Sequence, residues 1–119
     1  MAGRVDSVEI LSRLMGASLA RARAVASNVA NANTPGYRRQ VVRFEADLAG
    51  AIARGERDLA RIQPKLELDP TAKPRPDGND VSLETELATD RANRLAYETY
   101  AAMLQGHFDL LRAAIDSGR

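Results

Sequence analysis

The sequence predicts an all-α fold in which long N- and C-terminal helices pair as an antiparallel coiled coil, joined by an irregular, partly extended middle segment. Three observations predict it. Apolar residues recur at alternating spacings of three and four near both ends of the chain. Four of the five prolines fall between those ends. Aromatic residues are only 4% of the chain and Ala dominates its apolar class, so the core one chain can build alone is thin. On this reading residues 1–37 hold the N-terminal core helix and its closing turn, 38–80 the middle segment, and 81–119 the C-terminal core helix.

The first helix is expected over about 5–33. Val8, Leu11, Met15, Ser18, Ala22, Val25, Val29 and Ala32 form a heptad seam. Its residues are small, so a partner helix can approach closely. Gly16 weakens this helix by about 1 kcal/mol relative to Ala. The stop is sharp: Thr34 precedes a proline and is pushed out of the α region, and Pro35 cannot continue the hydrogen-bond ladder. Pro35-Gly36 fits the central positions of a type II turn, with the Gly supplying the positive φ.

In the middle, Phe44, Leu48, Ala51 and Ile52 permit a short amphipathic helix near 43–54, ended by Gly55. From Leu59 to Leu68 the pattern is ambiguous and compatible with extended chain. Pro64, Pro70, Pro74 and Pro76, with Asp77-Gly78-Asn79-Asp80, read as a linker without regular structure.

The last helix is expected over about 82–116. Ser82 or Asp80 caps it, and Glu84 and Glu86 lie where the helix dipole favours anions. Leu83 and Leu87 begin an apolar stripe, Asp90 and Arg94 interrupt it, and Tyr97, Ala101, Leu104, Phe108, Leu111 and Ile115 resume it. Tyr100, Met103 and Leu110 broaden the face. Gly118 is a natural stop. The packing residues expected from these patterns are Leu11, Met15, Val25 and Val29 on the first helix and Leu87, Tyr97, Leu104, Phe108, Leu111 and Ile115 on the last.

Composition narrows the function classes. The chain has no Cys and one His, so a catalytic triad or a zinc site has too few parts; His107 reads as a packing or interface residue. Glu84 and Glu86, two apart on a helix, point in different directions. No catalytic, cofactor or metal site is expected. A net charge of +1 argues against a general polyanion binder. The charge is uneven, with seven Arg against two acids over 1–43. Arg4, Arg13, Arg21, Arg23, Arg38, Arg39 and Arg43 form no single stripe and lack interleaved aromatics, so a nucleic-acid face is disfavoured and pairing with acids is preferred. Arg4, Asp6, Glu9 and Arg13 interrupt any secretory h-region, and no stretch approaches the roughly 18 apolar residues of a membrane span.

Asn28, Asn31 and Asn33 are the unusual polar feature. Either Asn31 and Asn33 terminate the helix, since Asn tolerates the left-handed region, or Asn28 and Asn31 are interhelix hydrogen-bonding groups that fix register. The residues alone leave both readings open.

The run Asn28-Val29-Ala30-Asn31-Ala32-Asn33-Thr34-Pro35-Gly36-Tyr37 resembles the N-terminal signature N-x-A-N-x-x-T-P-G-Y of the flagellar rod, hook and hook-associated axial proteins. All its positions are present. The chain's short length fits the proximal-rod members of that family. Gly78-Asn79-Asp80-Val81-Ser82-Leu83-Glu84-Thr85-Glu86 is similar to a G-N-x-V-D-L-x-x-E segment of one of these, with Ser82 in place of the more frequent Asp; FlgC is the nearest competitor. The resemblance covers about 5–44 and 78–117. It implies a non-enzymatic subunit, exported by the flagellar type III apparatus without a cleaved signal, that polymerises through its terminal helices in the periplasmic rod and transmits torque. Asn28, Asn31, Asn33, Thr34, Pro35, Gly36 and Tyr37 would be its assembly motif. Implied neighbours are further copies of itself, the ring protein FliF, the adaptor FliE, and the rod proteins FlgC and FlgF. A free helical adaptor or chaperone is the alternative outside that family.

Overall fold

A computed structural model describes residues 6–118. Ser7–Ala30 forms α1, opened by the Asp6 carboxylate, which accepts from the Val8 N–H at 3.0 Å. The expected start at Val5 lies outside the described residues. The helix ends three residues earlier than expected, and 31–36 are turns. Gln40–Arg43 forms β1, Glu45–Ala53 α2, Leu59–Arg61 a single 3₁₀ turn, Lys65–Leu68 β2, and Leu83–Ser117 α3.

The purely all-α expectation is overturned by a two-stranded antiparallel sheet, β1 with β2, in the segment expected to be irregular. Gln40 faces Leu68, Val41 faces Glu67, Val42 faces Leu66 and Arg43 faces Lys65. The physical reason lies in where the prolines fall. Pro64 stands immediately before β2 and Pro70 two residues after it, positions that cost the ladder no hydrogen bond. Between them Lys65-Leu66-Glu67-Leu68 alternates in polarity, and β1 carries the β-branched pair Val41-Val42. Two strands alone are marginal in water; these are backed by α1.

The main core therefore lies between α1 and the middle segment. Ala17 and Ala24 of α1 meet Val42, Phe44, Leu48, Ala51 and Leu59, with Ile10, Leu14, Ala20 and Ile62 packed around them. The alanines admit the sheet and α2 close to the α1 backbone. Phe44 and Leu59 fill the space so opened, each contributing about 2–3 kcal/mol by burial. Two arginines of α1 hold the same module. Arg13 donates to the Ile62 carbonyl and sits 5.8 Å from the Phe44 ring centroid. Arg21 donates to the Val42 carbonyl at 3.1 Å and pairs with Glu45 at 2.8 Å.

The long helices run antiparallel, since Asn28 meets Glu86 while Ser18, one helical stretch earlier, meets Asn93 further along α3. Their contact is more polar than the sequence implies. The side of α3 turned to α1 passes through buried Glu86 and Asn93, each one position before a member of the Leu87–Arg94 row. A one-residue step is a 100° rotation, so the row faces the flank of the interface. At 1.5 Å per residue α3 is about 52 Å long and α1 about 36 Å, within a molecule 67 Å in its longest dimension. The C-terminal part of α3 thus projects past the described start of α1.

Candidate functional site

The two sequence segments that carry the family resemblance meet in space, at the end of α1 and the start of α3. Asn28 is the centre of this joint and is fully buried. Its amide nitrogen donates to the Gln40 carbonyl at 2.8 Å and to Glu86 Oε2 at 3.2 Å. Its oxygen accepts from the Gln40 N–H at 3.0 Å and the Tyr37 hydroxyl at 3.1 Å. All four of its hydrogen-bonding sites are used. Asn31 is local by contrast: it donates to the Ser27 carbonyl at 2.9 Å and accepts from the Thr34 hydroxyl at 3.1 Å. The two readings of the asparagines thus divide between them. Asn28 joins elements, and Asn31 finishes the helix.

The turn that follows has the Tyr37 N–H donating to the Thr34 carbonyl at 3.2 Å, with Gly36 at φ +76°. Against it lies the stretch before α3. The Gly36 N–H donates to the Asp77 carbonyl at 2.9 Å, and a Cβ on Gly78 would stand 3.3 Å from the Gly36 Cα. Fully buried Asn79 donates to the carbonyls of Asn31 and Thr34, both at 2.8 Å, and accepts from the Val81 N–H at 2.8 Å. Arg75 donates to the Ala32 carbonyl at 2.6 Å and also to that of Val81. The last-turn carbonyls of α1 at Ser27, Asn28 and Val29 are met locally by Asn31 and Ala32, and the carbonyls of the turn that follows are satisfied by side chains 43 to 48 residues downstream.

Beneath the turn lies a buried charge cluster. Arg39 donates from Nε to fully buried Glu86, from one terminal nitrogen to Asp69 at 2.7 Å, and from the other to the Thr89 hydroxyl at 3.1 Å. Its backbone N–H donates to Asp80, which also pairs with Arg38 at 3.2 Å. Burial pulls the Arg39 guanidinium down, but hydrogen bonds and charge from Glu86 and Asp69 outweigh it and raise it above the ordinary value. The Thr71 N–H holds the Asp69 carboxyl below its usual range against the effect of burial, helped by the Thr71 hydroxyl and by Arg39. One planar guanidinium thereby ties the end of β2 and two turns of α3 to the start of β1, a geometry suited to Arg and not to Lys.

The expected assembly motif is divided by this geometry. Asn28 is inside the joint and Asn31 and Tyr37 are half-buried, while Asn33, Thr34, Pro35 and Gly36 stay exposed. Of the expected packing residues, Leu11 and Val25 are buried and Met15, Tyr97 and Leu104 half-buried. Val29 (46% exposed), Leu87 (52%), Phe108 (46%), Leu111 (49%) and Ile115 (64%) lie open. The sequence points to neither Asp69 nor Asn93, and it does not mark Glu86, Arg39 or Asn79 as site residues. Asn79 and Glu86 do occupy fixed positions of the second resemblance segment, which was the available signal. Arg21, Arg38, Arg39 and Arg43 pair with acids, Arg23 is exposed, and Arg4 lies outside the described residues. His107 is half-buried on α3, edge-on to Phe108. No helix among the described residues is long and apolar enough to cross a membrane.

A family model described as "Flagella basal body rod protein" matches residues 15–38, the stretch from mid-α1 to the turn beside Arg39. A flagellar basal body rod protein FlgB of Cereibacter sphaeroides is 31% identical, with 97% of this chain and 98% of the relative aligned. The chain belongs to the FlgB family of flagellar basal body rod proteins. FlgB of Borrelia hermsii is 26% identical over 92% of this chain and 95% of its own length. FlgB of Escherichia coli is 28% identical over 82% and 84%. The relatives thus span both halves of the joint as well as the hairpin between them. As an FlgB-family member the chain is a structural subunit of the basal body rod of the bacterial flagellum.

Proposed function

We propose that this rod subunit belongs to the proximal rod, where its terminal helices pack against neighbouring subunits and carry torque along the drive shaft, with no substrate turned over. The observation that supports this reading is a division of labour on the two long helices. Their polar groups at the joint are consumed within the chain and fix α1 against α3. Their large apolar residues Val29, Leu87, Phe108, Leu111 and Ile115 remain 46–64% exposed. A protein standing alone gains nothing from such rows; a subunit in a polymer buries them. On this reading residues 1–37 and 81–119 form the core of the shaft and 38–80 an outer module. The neighbours are further copies, FliF, FliE, FlgC and FlgF, and the chain reaches the periplasm through the flagellar type III apparatus without a cleaved signal.

The test is genetic. Val29→Asp and Leu111→Asp each place an unpaired charge on an apolar row. Both variants are expected to be exported yet to leave a deletion strain non-motile, with the wild-type chain co-fractionating with basal bodies. Normal motility from either variant would sink the packing account.

A further inference from the structure

Gly36 and Gly78 press the turn after α1 against the stretch before α3, and the second of them follows Asp77. Asp77 is the only Asp or Asn of the chain that precedes a glycine. That pairing has a chemistry of its own. The amide nitrogen of the residue after an Asp can attack the side-chain carboxyl, and a glycine, lacking Cβ, leaves that nitrogen unhindered. Attack forms an N–Cγ bond and expels water, closing a five-membered succinimide. Water then reopens the ring. Addition at Cγ restores Asp; addition at the former backbone carbonyl leaves the chain running through the side chain, as isoaspartate. One water leaves and one returns, and no enzyme or cofactor is required.

The Asp77 side chain is 40% exposed, so burial does not restrain it. The peptide unit between Asp77 and Gly78 does. Ring closure requires that unit to rotate until its nitrogen faces Cγ, and in the fold both of its polar atoms are held. The Asp77 carbonyl accepts from the Gly36 N–H at 2.9 Å, and the Gly78 N–H donates to the Arg75 carbonyl at 2.8 Å. Gly78 sits at φ +84°, against the Gly36 backbone. The carboxylate itself accepts from the Asn79 N–H at 2.9 Å. Buried Asn79 anchors this stretch through its bonds to the Asn31 and Thr34 carbonyls.

We propose that Asp77 is the site at which this chain isomerises to isoaspartate, and that closure of the joint is what protects it. Before the end of α1 meets the stretch before α3, the Asp77–Gly78 peptide is free to rotate and the attack is open. Afterwards the reaction waits on local opening. The effect also runs the other way. Isomerisation lengthens the backbone by one atom and turns the carbonyl that receives the Gly36 N–H into part of a free carboxylate. A chain altered before it locks loses the register by which Asn79 reaches the end of α1. The linkage at position 77 therefore records how long a molecule has stayed unlocked. This needs only the intrachain joint and holds wherever the folded chain resides.

The full chain is aged at neutral pH in buffer and in urea. Isoaspartate is read by transfer of a labelled methyl group with an isoaspartyl methyltransferase, and placed by mass-spectrometric fragmentation of peptides. In urea the label should accumulate at position 77, and Asp77→Glu, whose longer side chain closes the ring poorly, should remove it. In buffer the wild-type chain should accumulate label more slowly, by on the order of tenfold or more, because the reaction waits for opening. Asn79→Ala leaves Asp77-Gly78 in place but strips the joint of its anchor; it should raise the rate in buffer and leave the rate in urea unchanged. Equal wild-type rates in the two solvents overturn protection by the joint, as does an Asn79→Ala rate in buffer no faster than wild type. Label concentrated at another residue overturns the site. Urea-aged chain returned to buffer should carry its isoaspartate in the protease-sensitive fraction; an even distribution overturns the claim that an altered chain fails to lock.

Discussion

Asn28 holds four partners from three segments without reaching solvent, and this sets what its replacement does. Asn28→Ala strands the Gln40 N–H and carbonyl and removes one partner of Glu86, so a loss of about 2–4 kcal/mol is expected in urea unfolding. Asn28→Asp should be worse, because it sets a second carboxylate beside buried Glu86. Arg39→Met leaves Glu86 and Asp69 buried without their cation, at about 3–5 kcal/mol. Adding Glu86→Gln to that variant should recover part of the loss by removing one stranded charge. A double-mutant cycle measures this; strict additivity would show that the two side chains are not coupled. The acid limb of stability belongs to the same cluster. The folded Asp69 pKa is depressed from an unfolded value near 3.9. Its contribution is therefore present in full above about pH 4 and is lost as pH falls below that, through the folded value. Glu45 is held down as well, by Arg21 against the opposing effect of its burial, and acts in the same direction. Asp69→Asn should flatten the decline of the denaturation midpoint below pH 4 and leave neutral-pH cooperativity intact.

Among the elements, the turn after α1 and the stretch before α3 are pressed together backbone to backbone. Gly36→Ala and Gly78→Ala both force a side chain into positive φ, at about 1 kcal/mol each. Gly78→Ala also drives a Cβ to 3.3 Å from the Gly36 Cα, so its thermal midpoint should fall further than that of Gly36→Ala. Equal shifts would mean that the two segments separate easily. The hairpin depends on Leu59, which is fully buried under it; Leu59→Ala should cost about 2–5 kcal/mol. Both long helices, the Pro35-Gly36 turn and a short helix, expected near 43–54 and found at Glu45–Ala53, were legible in the sequence, because periodicity and proline placement are local signals. The sheet was not. Its strands are four residues each, and the prolines that suggest a linker stand just outside them. The joint was legible only in part, through Asn28, Asn79 and Glu86 as members of two recurring patterns. What the patterns could not supply was that Arg39, one of seven N-terminal arginines, is the one inserted between Glu86 and Asp69. Nor does helical spacing reveal that α3 meets α1 through Glu86 and Asn93 and not through Leu87.

For the whole molecule the consequence is uneven stability along one helix. From Leu83 to about Tyr100, α3 is held by α1 and the joint; beyond that, the described residues offer it little cover. Hydrogen exchange on the isolated chain should show protected amides near Glu86 and Asn93 and fast exchange over 105–117. Incorporation into basal bodies should slow the latter. Uniform protection along α3 in the isolated chain would mean that its projecting end needs no neighbour.

The distances in sequence across the joint also fix when the protein can fold. Asn28 and Glu86 are 58 residues apart, Asn79 and Asn31 48, and Asn93 and Ser18 75. None of these contacts can form until most of the chain is available, and each must first close a long loop at an entropic cost. A chain emerging from its N-terminus, at a ribosome or through any narrow passage, therefore leaves Asn28 without Glu86, and the Asn31 and Thr34 carbonyls without Asn79, until residues 79–93 have followed. Only then does it lock, in one late step.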